Sequence, residues 1–329
     1  MRNTKVKAIA EGAVAAALCT LLNIISMYVP VLSLFSTFLC GYPLMLIFCR
    51  WGAVVGFTSM VCSYAVTFIM TGSFLSPLLL MFLYALPTAM FGLMVNKKQK
   101  FSNAVFVTAL FVLIGFVTQL MLLNGEGSGI EAQFSAMSEE MGNSLGMIFS
   151  QNPALENADI KNLISEAITM TVNTLMLYLP AISIIFSAVL GYIISAFSVF
   201  LLKRLKIKNV SYVSFNRIKA PTGTIVIFIL SFLLIHAYDN GGIVISAIKN
   251  LSFIATAAVA LSGFSFVDYM LSRKIKSGYI RAAIYIAVGF VGFMMISVIL
   301  ELFILFGIFD LFNKKRVPDE TGDDKLEKE

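Results

Sequence analysis

Few side chains in this sequence are suited to acid–base, nucleophilic or metal chemistry. The chain has one histidine, His236, and contains neither a phosphate-binding G-x-x-x-x-G-K-[ST] motif nor an H-E-x-x-H zinc motif. A serine–histidine triad and a histidine-rich metal site are therefore excluded. The four cysteines lie in apolar stretches and form no C-x-x-C pair; they are Cys19, Cys40, Cys49 and Cys62. The sequence predicts no enzymatic activity, no cofactor and no metal site.

Ionisable residues inside apolar stretches are the next candidates, because a charge within a membrane is costly and is a functional hypothesis by default. Glu11, Lys249 and Asp268 lie near the predicted ends of their segments, where a long side chain reaches the interface. Glu301 is the residue of this kind that is predicted in mid-helix, so it is the candidate for ion coupling. The three acids of this set, Glu11, Asp268 and Glu301, are fewer than a proton-driven transporter usually has.

A set of amide, phenol and hydroxyl side chains is the main candidate for a ligand site. Four predicted helices carry these residues in the half that is predicted to face outward. Together they would line a mostly apolar pocket with a few orienting hydrogen bonds, suited to an uncharged or weakly polar solute. The alternative is that they join helices or form an interfacial aromatic belt. The set is Asn23, Tyr28, Tyr64, Thr67, Gln119, Asn173, Thr174 and Tyr178.

Small residues recur at a spacing of four in the stretch AIAEGAVAAAL, residues 8–18. Gly12 pairs with Ala16, and Ala13 pairs with Ala17. Small side chains at this spacing let another helix approach closely. The partner is either another helix of the same chain or a separate subunit, and the sequence leaves both open.

These candidates must be positioned by long apolar segments. The sequence is 59% hydrophobic and 13% charged, with a mean hydropathy of +0.90, whereas soluble domains carry about 25% charged residues. Apolar runs of about 20 residues recur along it. We therefore predict an all-α, polytopic helical membrane protein with about nine hydrophobic segments (eight to ten). They are 8–28, 31–49, 52–70, 74–95, 102–123, 166–202, 221–238, 243–271 and 280–309.

Basic residues set the predicted orientation. Most of the 24 Lys and Arg residues lie near the N-terminus or in alternate loops, which the positive-inside rule places in the cytoplasm. Arg50 is then predicted to mark a turn between two helices, with Trp51 as an interfacial anchor. Because the basic residues cluster in short loops, no nucleic-acid surface is predicted. The cytoplasmic loops are 49–51, 96–101, 203–220 and 272–281.

Four regions follow from this threading. Residues 1–202 form a six-helix core that includes an acidic outside loop, 124–165, which is either a lid or a solvated connector. A basic cytoplasmic loop, 203–220, leads into three further segments within 221–312. The charged tail, 313–329, is predicted to be disordered, and its side of the membrane stays open.

The first six segments resemble the substrate-binding S component of energy-coupling-factor (ECF) transporters. The resemblance is carried by AVAAAL and YVP in segment one, CGYPLML in segment two and RWGAVVGF at the start of segment three. It implies a six-helix component that binds a vitamin or metal in an outward-facing pocket. It also implies a first helix that docks on a coupling membrane subunit driven by two ATPases. Ala13 and Ala17 match that docking motif.

Over nearly its full length the chain resembles the YybS-type family of uncharacterised bacterial membrane proteins. ALSGFSFVDYMLSRK at 260–274 and GIFDLFNKKR at 307–316 are similar to the C-terminal patterns of that family. The resemblance implies a bacterial cytoplasmic membrane location and no established activity. The extra segments within 221–309 depart from the S components, which puts docking on a shared coupling subunit in doubt.

The preferred hypothesis is a membrane-embedded subunit that binds a small solute and is energised by partner subunits. One alternative is a non-transport scaffold that uses the basic loop 203–220 on anionic lipid or on a cytoplasmic partner. Another is an autonomous secondary transporter that uses Glu301. The identity of the solute does not follow from the sequence.

Overall fold

The computed structural model describes residues 2–125, 129–150, 158–208, 210, 212–237, 242–291 and 296–312, and the regular elements in these ranges are all helical. Within them, seven helices are long and apolar enough to cross a membrane. The all-α class is confirmed, whereas the predicted count of about nine segments is not. The seven are Thr4–Tyr28, Pro30–Trp51, Ala53–Thr71, Leu75–Asn96, Phe101–Leu122, Leu163–Arg204 and Ile243–Lys274.

The chain divides into two compact units. The first comprises Met1–Leu179 and Phe186–Val210, and the second comprises Pro180–Ile185 and Ser211–Glu329. The helices that begin before Pro180 are α1 (Arg2–Tyr28), α2 (Pro30–Leu39), α3 (Tyr42–Trp51), α4 (Ala53–Thr71), α5 (Leu75–Leu80), α6 (Leu86–Asn96), α7 (Phe101–Gly125), α8 (Ile130–Ser150) and α9 (Ala158–Arg204). Those of the second unit are α10 (Gly223–Ala237), α11 (Ile243–Lys274), α12 (Gly278–Val291) and α13 (Ile296–Phe312).

Two predicted segments of the first unit are broken where prolines interrupt helical bonding. The segment predicted at 31–49 consists of α2 and α3, each with a proline in its first turn. The segment predicted at 74–95 consists of α5, a π-helical turn at Met81–Ala85, and α6. Pro87 has no N–H to donate to the carbonyl four residues earlier, and the Leu86 N–H bonds to Met81, five residues back.

The core of the first unit joins α3, α6, α7 and the end of α9. Its buried members include Tyr42 and Met45 of α3, Phe91 of α6, Phe101 of α7 and Leu202 of α9. In lipid, helices associate through van der Waals packing and interhelical hydrogen bonds, because the solvent is itself apolar. This core therefore acts by close packing, and it fixes the position of α3, which contacts α1 and α4.

The outside loop predicted at 124–165 is largely helical. It contains α8, and α9 begins at Ala158, before the predicted start of segment six. With 47 residues α9 is about 70 Å long at 1.5 Å per residue, roughly twice the thickness of the hydrocarbon core. Residues 126–128 and 151–157 of this loop, and the tail 313–329 that was predicted to be disordered, lie outside the described residues.

The second unit is built around α11, which packs against α10 and α13. The segment predicted at 221–238 is the 15-residue helix α10, which is shorter than the seven candidate spans. The segment predicted at 280–309 consists of two helices, α12 and α13, with residues 292–295 between them outside the described residues.

Candidate functional site

The first candidate site lies between α1 and α4, which run side by side in the same direction. A Cβ atom added at Gly12 would lie 2.6 Å from Ser59 Oγ. Two turns further along, the Thr20 hydroxyl donates to the Ser63 carbonyl at 3.1 Å and lies 3.2 Å from its hydroxyl. The two contacts show that small and hydroxyl-bearing residues let these helices approach closely.

Asn23, Tyr64 and Thr67 form a buried polar cluster further along the same pair of helices. Asn23 and Thr67 have no exposed surface, and Tyr64 retains 9%. The Thr67 hydroxyl donates to the Ser63 carbonyl at 2.9 Å, and Asn23 Nδ2 donates to Cys19 Sγ at 3.7 Å. Asn23 Oδ1 and the Tyr64 hydroxyl are buried and make no hydrogen bond of good geometry to the described residues, although Asn23 and Cys19 lie beside the Tyr64 hydroxyl. The cluster can therefore form further hydrogen bonds.

Neutral side chains enclose this cluster. The Tyr64 hydroxyl lies near the thiols of Cys19 and Cys40, of which Cys40 lies at the junction of α2 and α3. Apolar walls come from α3, α4 and the π-helical turn, and consist of Leu44, Met60 and Ala85. The polar groups of the cluster are therefore packed closely among apolar and neutral side chains.

The structure gives the other five predicted ligand residues different surroundings. Tyr28 is 63% exposed, and Asn173 and Thr174 are also exposed. The Thr174 hydroxyl donates to a carbonyl one turn earlier in α9, at 2.7 Å. Gln119 and Tyr178 are half-buried. These five residues therefore do not share the closed environment of Asn23, Tyr64 and Thr67.

The two small-residue pairs of α1 have different neighbours. Gly12 and Ala16 are buried, and Gly12 packs against α4. Ala13 and Ala17 are exposed and line an apolar groove of about 590 Å³ between α1 and α4. One pair thus packs against α4, while the other borders the open groove beside that contact.

A charged cluster lies near the predicted cytoplasmic end of α1. Glu11 Oε2 accepts hydrogen bonds from Arg50 Nη1 at 3.1 Å and from Trp51 Nε1 at 2.8 Å. Helix α3 ends at Trp51 and α4 begins at Ala53, with Gly52 at a positive φ of 81° that favours glycine. Arg50 thus lies at a helix turn, as its sequence context predicts, and it also pairs with Glu11, which the sequence analysis did not predict.

The second unit contains an ion pair that sequence reasoning missed. Arg281 Nε donates to Asp268 Oδ1 at 2.9 Å, and the Tyr285 hydroxyl donates to the same oxygen at 3.0 Å. The side chains of Arg281 and Asp268 are only 15% and 8% exposed. The sequence analysis assigned Asp268 to an interface and Arg281 to a basic loop. The two residues are 13 positions apart, on either side of the turn between α11 and α12, and this spacing alone does not predict an ion pair.

Asp310 is the other buried acid of the second unit. It has no exposed surface, and its Oδ2 accepts from the Ser262 hydroxyl at 3.1 Å. That hydroxyl in turn accepts from the Ala220 N–H at 3.1 Å. Glu301, the predicted ion-coupling residue, is exposed. The enclosed carboxylates of the described part of this unit are therefore Asp268 and Asp310.

Metal chemistry finds no support in the described part of the chain, because no three His, Cys, Asp or Glu side chains in it converge on a point that could hold an ion. No curated protein and no solved structure matches this sequence. A family model matches residues 17–311 and is described as a predicted membrane protein, without an activity, a ligand or a partner. That match names neither the YybS-type family nor the ECF S components. It extends from α1 into α13 and so includes the polar cluster and both buried acids, and the chain belongs to the DUF2232 family of predicted membrane proteins.

Proposed function

We propose that this protein is a membrane-embedded subunit that binds a small, uncharged or weakly polar solute. The observation that supports this proposal is a pair of buried polar atoms that make no hydrogen bond of good geometry, Asn23 Oδ1 and the Tyr64 hydroxyl. Leaving such a group unsatisfied costs about 1–3 kcal/mol, and water is scarce within a membrane. A solute that hydrogen-bonds to both atoms would remove this penalty on binding.

The chemistry of the cluster favours a neutral ligand. Asn23 Oδ1 accepts a hydrogen bond, and the Tyr64 hydroxyl both donates and accepts. The neighbouring Cys19, Cys40 and Thr67 carry no charge in their thiol and hydroxyl forms. A charged solute would lose its hydration without gaining a counterion there, which is strongly unfavourable. We propose binding without a chemical step, so the protein is not an enzyme in this scheme.

The Asn23→Leu variant tests the ligand site. Leucine keeps the branched shape of asparagine and replaces the Oδ1 oxygen and the amide nitrogen by larger methyl groups, so we expect a folded protein with little change in thermal stability that has lost its bound solute. Mass spectrometry of small molecules that co-purify with the full-length protein measures the second effect. Asn173→Leu is the matched control, because Asn173 is exposed, and it should retain the solute. Equal solute content in wild type and Asn23→Leu would contradict the proposal.

Partner subunits would supply energy through the exposed side of α1. The groove beside Ala13 and Ala17 is apolar and bordered by small side chains, which suits close approach by a transmembrane helix of a coupling subunit. This arrangement is similar to the docking mode of S components. The N-terminus would be cytoplasmic and the membrane would be the cytoplasmic membrane of a bacterium, as the basic loops and the YybS-type resemblance suggest.

The Ala17→Trp variant tests this docking. The bulky side chain would fill the groove, so we expect at least a ten-fold lower yield of partner subunits in a mild-detergent pull-down read by mass spectrometry. Val31→Trp is the control, since Val31 is 84% exposed on a different helix. Stoichiometric recovery of an ATPase pair and a coupling membrane protein with wild type would support the proposal. Recovery of wild type alone would contradict it.

The other two hypotheses predict different results in the same experiments. An autonomous secondary transporter would take up solute without any ATPase, and Glu301→Gln would abolish that uptake. A scaffold would recover envelope proteins but bind no solute. The exposed position of Glu301 on α13 does not favour ion coupling, because coupling carboxylates usually face a protein interior or a water-filled cavity.

A further inference from the structure

A second groove flanks α1 on another face, towards α3 and the end of α9. It encloses about 520 Å³, and both Glu11 and Arg50 lie at its border. Apart from these two residues its walls are apolar. The apolar walls include Ala10, Val14, Leu18, Leu46, Ile47 and Leu205. The groove is therefore amphipathic along its length, with an apolar trough and a charged end.

The end of α9 brings further cations to that charged end. Helix α9 closes with Lys206 at a positive φ of 52°, and the Ile207 N–H bonds to the Leu202 carbonyl at 3.0 Å. The Lys206 N–H bonds to the Lys203 carbonyl at 3.1 Å, which completes a Schellman cap. This cap fixes Leu205 and Ile207 in the groove wall. Lys203, Arg204 and Lys206 lie within the same two turns and are exposed.

The charge balance at this end is positive. Glu11 is the acid of the groove border, and its Oε2 already accepts from Arg50 and Trp51. The Arg50 side chain is nevertheless 46% exposed, so part of its guanidinium remains available. Lys206 lies between Leu205 and Ile207, which both line the groove, and Lys203 and Arg204 directly precede them, so these cations lie near the groove along the chain. An occupant with an apolar body and an anionic head matches both parts of the groove.

We propose that this groove binds one anionic phospholipid, with an acyl chain along the apolar walls and the phosphate beside Arg50 and the cations of the α9 end. Clusters of basic residues at the end of a transmembrane helix attract anionic headgroups, each contributing to the attraction. A transmembrane partner helix without acidic residues would leave these basic side chains without a negative charge nearby. The proposal concerns a different face of α1 from the Ala13 and Ala17 groove, so it does not depend on the proposed function.

Native mass spectrometry of the purified full-length protein tests this site. The probes are palmitoyl-oleoyl phosphatidylglycerol, phosphatidylcholine with the same chains, and glycerol 3-phosphate. We expect one phosphatidylglycerol to bind at least ten-fold more tightly than phosphatidylcholine. The rim variant, Lys203→Gln/Arg204→Gln/Lys206→Gln, should lose this preference, and Ala10→Trp, which fills the trough from an exposed position, should weaken both lipids.

The matched control removes three exposed cations from the end of α11, as Arg273→Gln/Lys274→Gln/Lys276→Gln. It should retain the preference, and size-exclusion profiles should show that each variant is folded. Equal binding of the two lipids by wild type would overturn the proposal, as would an equal loss in the control variant. Competition by glycerol 3-phosphate as strong as that of phosphatidylglycerol would assign the site to free phosphate instead. Finding an acidic protein in place of lipid would also overturn it.

Discussion

The Gly307→Ala variant should lose the packing of α11 against α13. A Cβ atom at Gly307 would overlap the carbonyl oxygen of Val259, and one at Gly263 would overlap that of Phe303. Overpacking costs about 1–3 kcal/mol where side chains can move aside. Here the obstacle is backbone on both helices, so we expect a loss at the upper end of that range or beyond it.

Thermal unfolding of the purified protein in detergent measures this effect. A loss of about 3 kcal/mol should lower the midpoint by roughly 4 °C, because the unfolding entropy of a 329-residue chain is about 0.7 kcal/mol/K. Gly289→Ala is the matched control, because Gly289 lies in α12 with open space where the methyl group would be. Alanine favours a helix over glycine, so the control should be unchanged or slightly stabilised. A Gly307→Ala protein as stable as the control would show that the two helices do not touch as described.

The Arg281→Leu variant should be the other severely destabilised protein. It would leave the Asp268 carboxylate, 8% exposed, with only the Tyr285 hydroxyl as a described partner. Removing one member of a buried ion pair costs about 3–5 kcal/mol, because the remaining charge is uncompensated. Arg281 Nη1 also bonds to the carbonyl of Ile275, at 2.8 Å, so the loop after α11 would lose that bond too.

The double variant Asp268→Leu/Arg281→Leu shows whether the loss of stability comes from the uncompensated charge or from lost packing. It should recover much of the lost stability, since two apolar side chains replace the pair. Arg50→Leu is the control for an open ion pair, as Arg50 is 46% exposed, and it should cost less than about 1 kcal/mol. The thermal midpoints of the three variants give the comparison. A double variant no more stable than Arg281→Leu would show that the uncompensated charge is not the cause.

Much of the first candidate site could be predicted from sequence because its residues are polar within apolar helices. Asn23, Tyr64 and Thr67 stood out for that reason, and the structure places all three in one buried cluster. Burial itself could not be predicted, because it depends on how each helix is rotated about its axis. Asn173 satisfies the same sequence criterion as Asn23, yet it is exposed.

The second unit was harder to predict. Hydropathy averages over a window, so it gave no weight to Asp310 near the end of an apolar helix. The pairing of Asp268 with Arg281 depends on the angle at which α12 leaves α11, which propensity does not encode. Ser262 joins Asp310 only because Gly263 and Gly307 bring the two helices into backbone contact.

The π-helical turn at Met81–Ala85 determines how this span tolerates insertions and deletions. A π turn bonds five residues back, so it holds one residue more than an α-helical turn. Deleting one residue within the turn would remove the extra residue and keep the faces of α5 and α6 in register, while Pro87 would still leave one carbonyl without its helical hydrogen bond. Deleting one residue within α6 would rotate all that follows by about 100° and turn Phe91 out of the core. The turn is thus a site in this span where chain length can change without exchanging buried and lipid-facing residues.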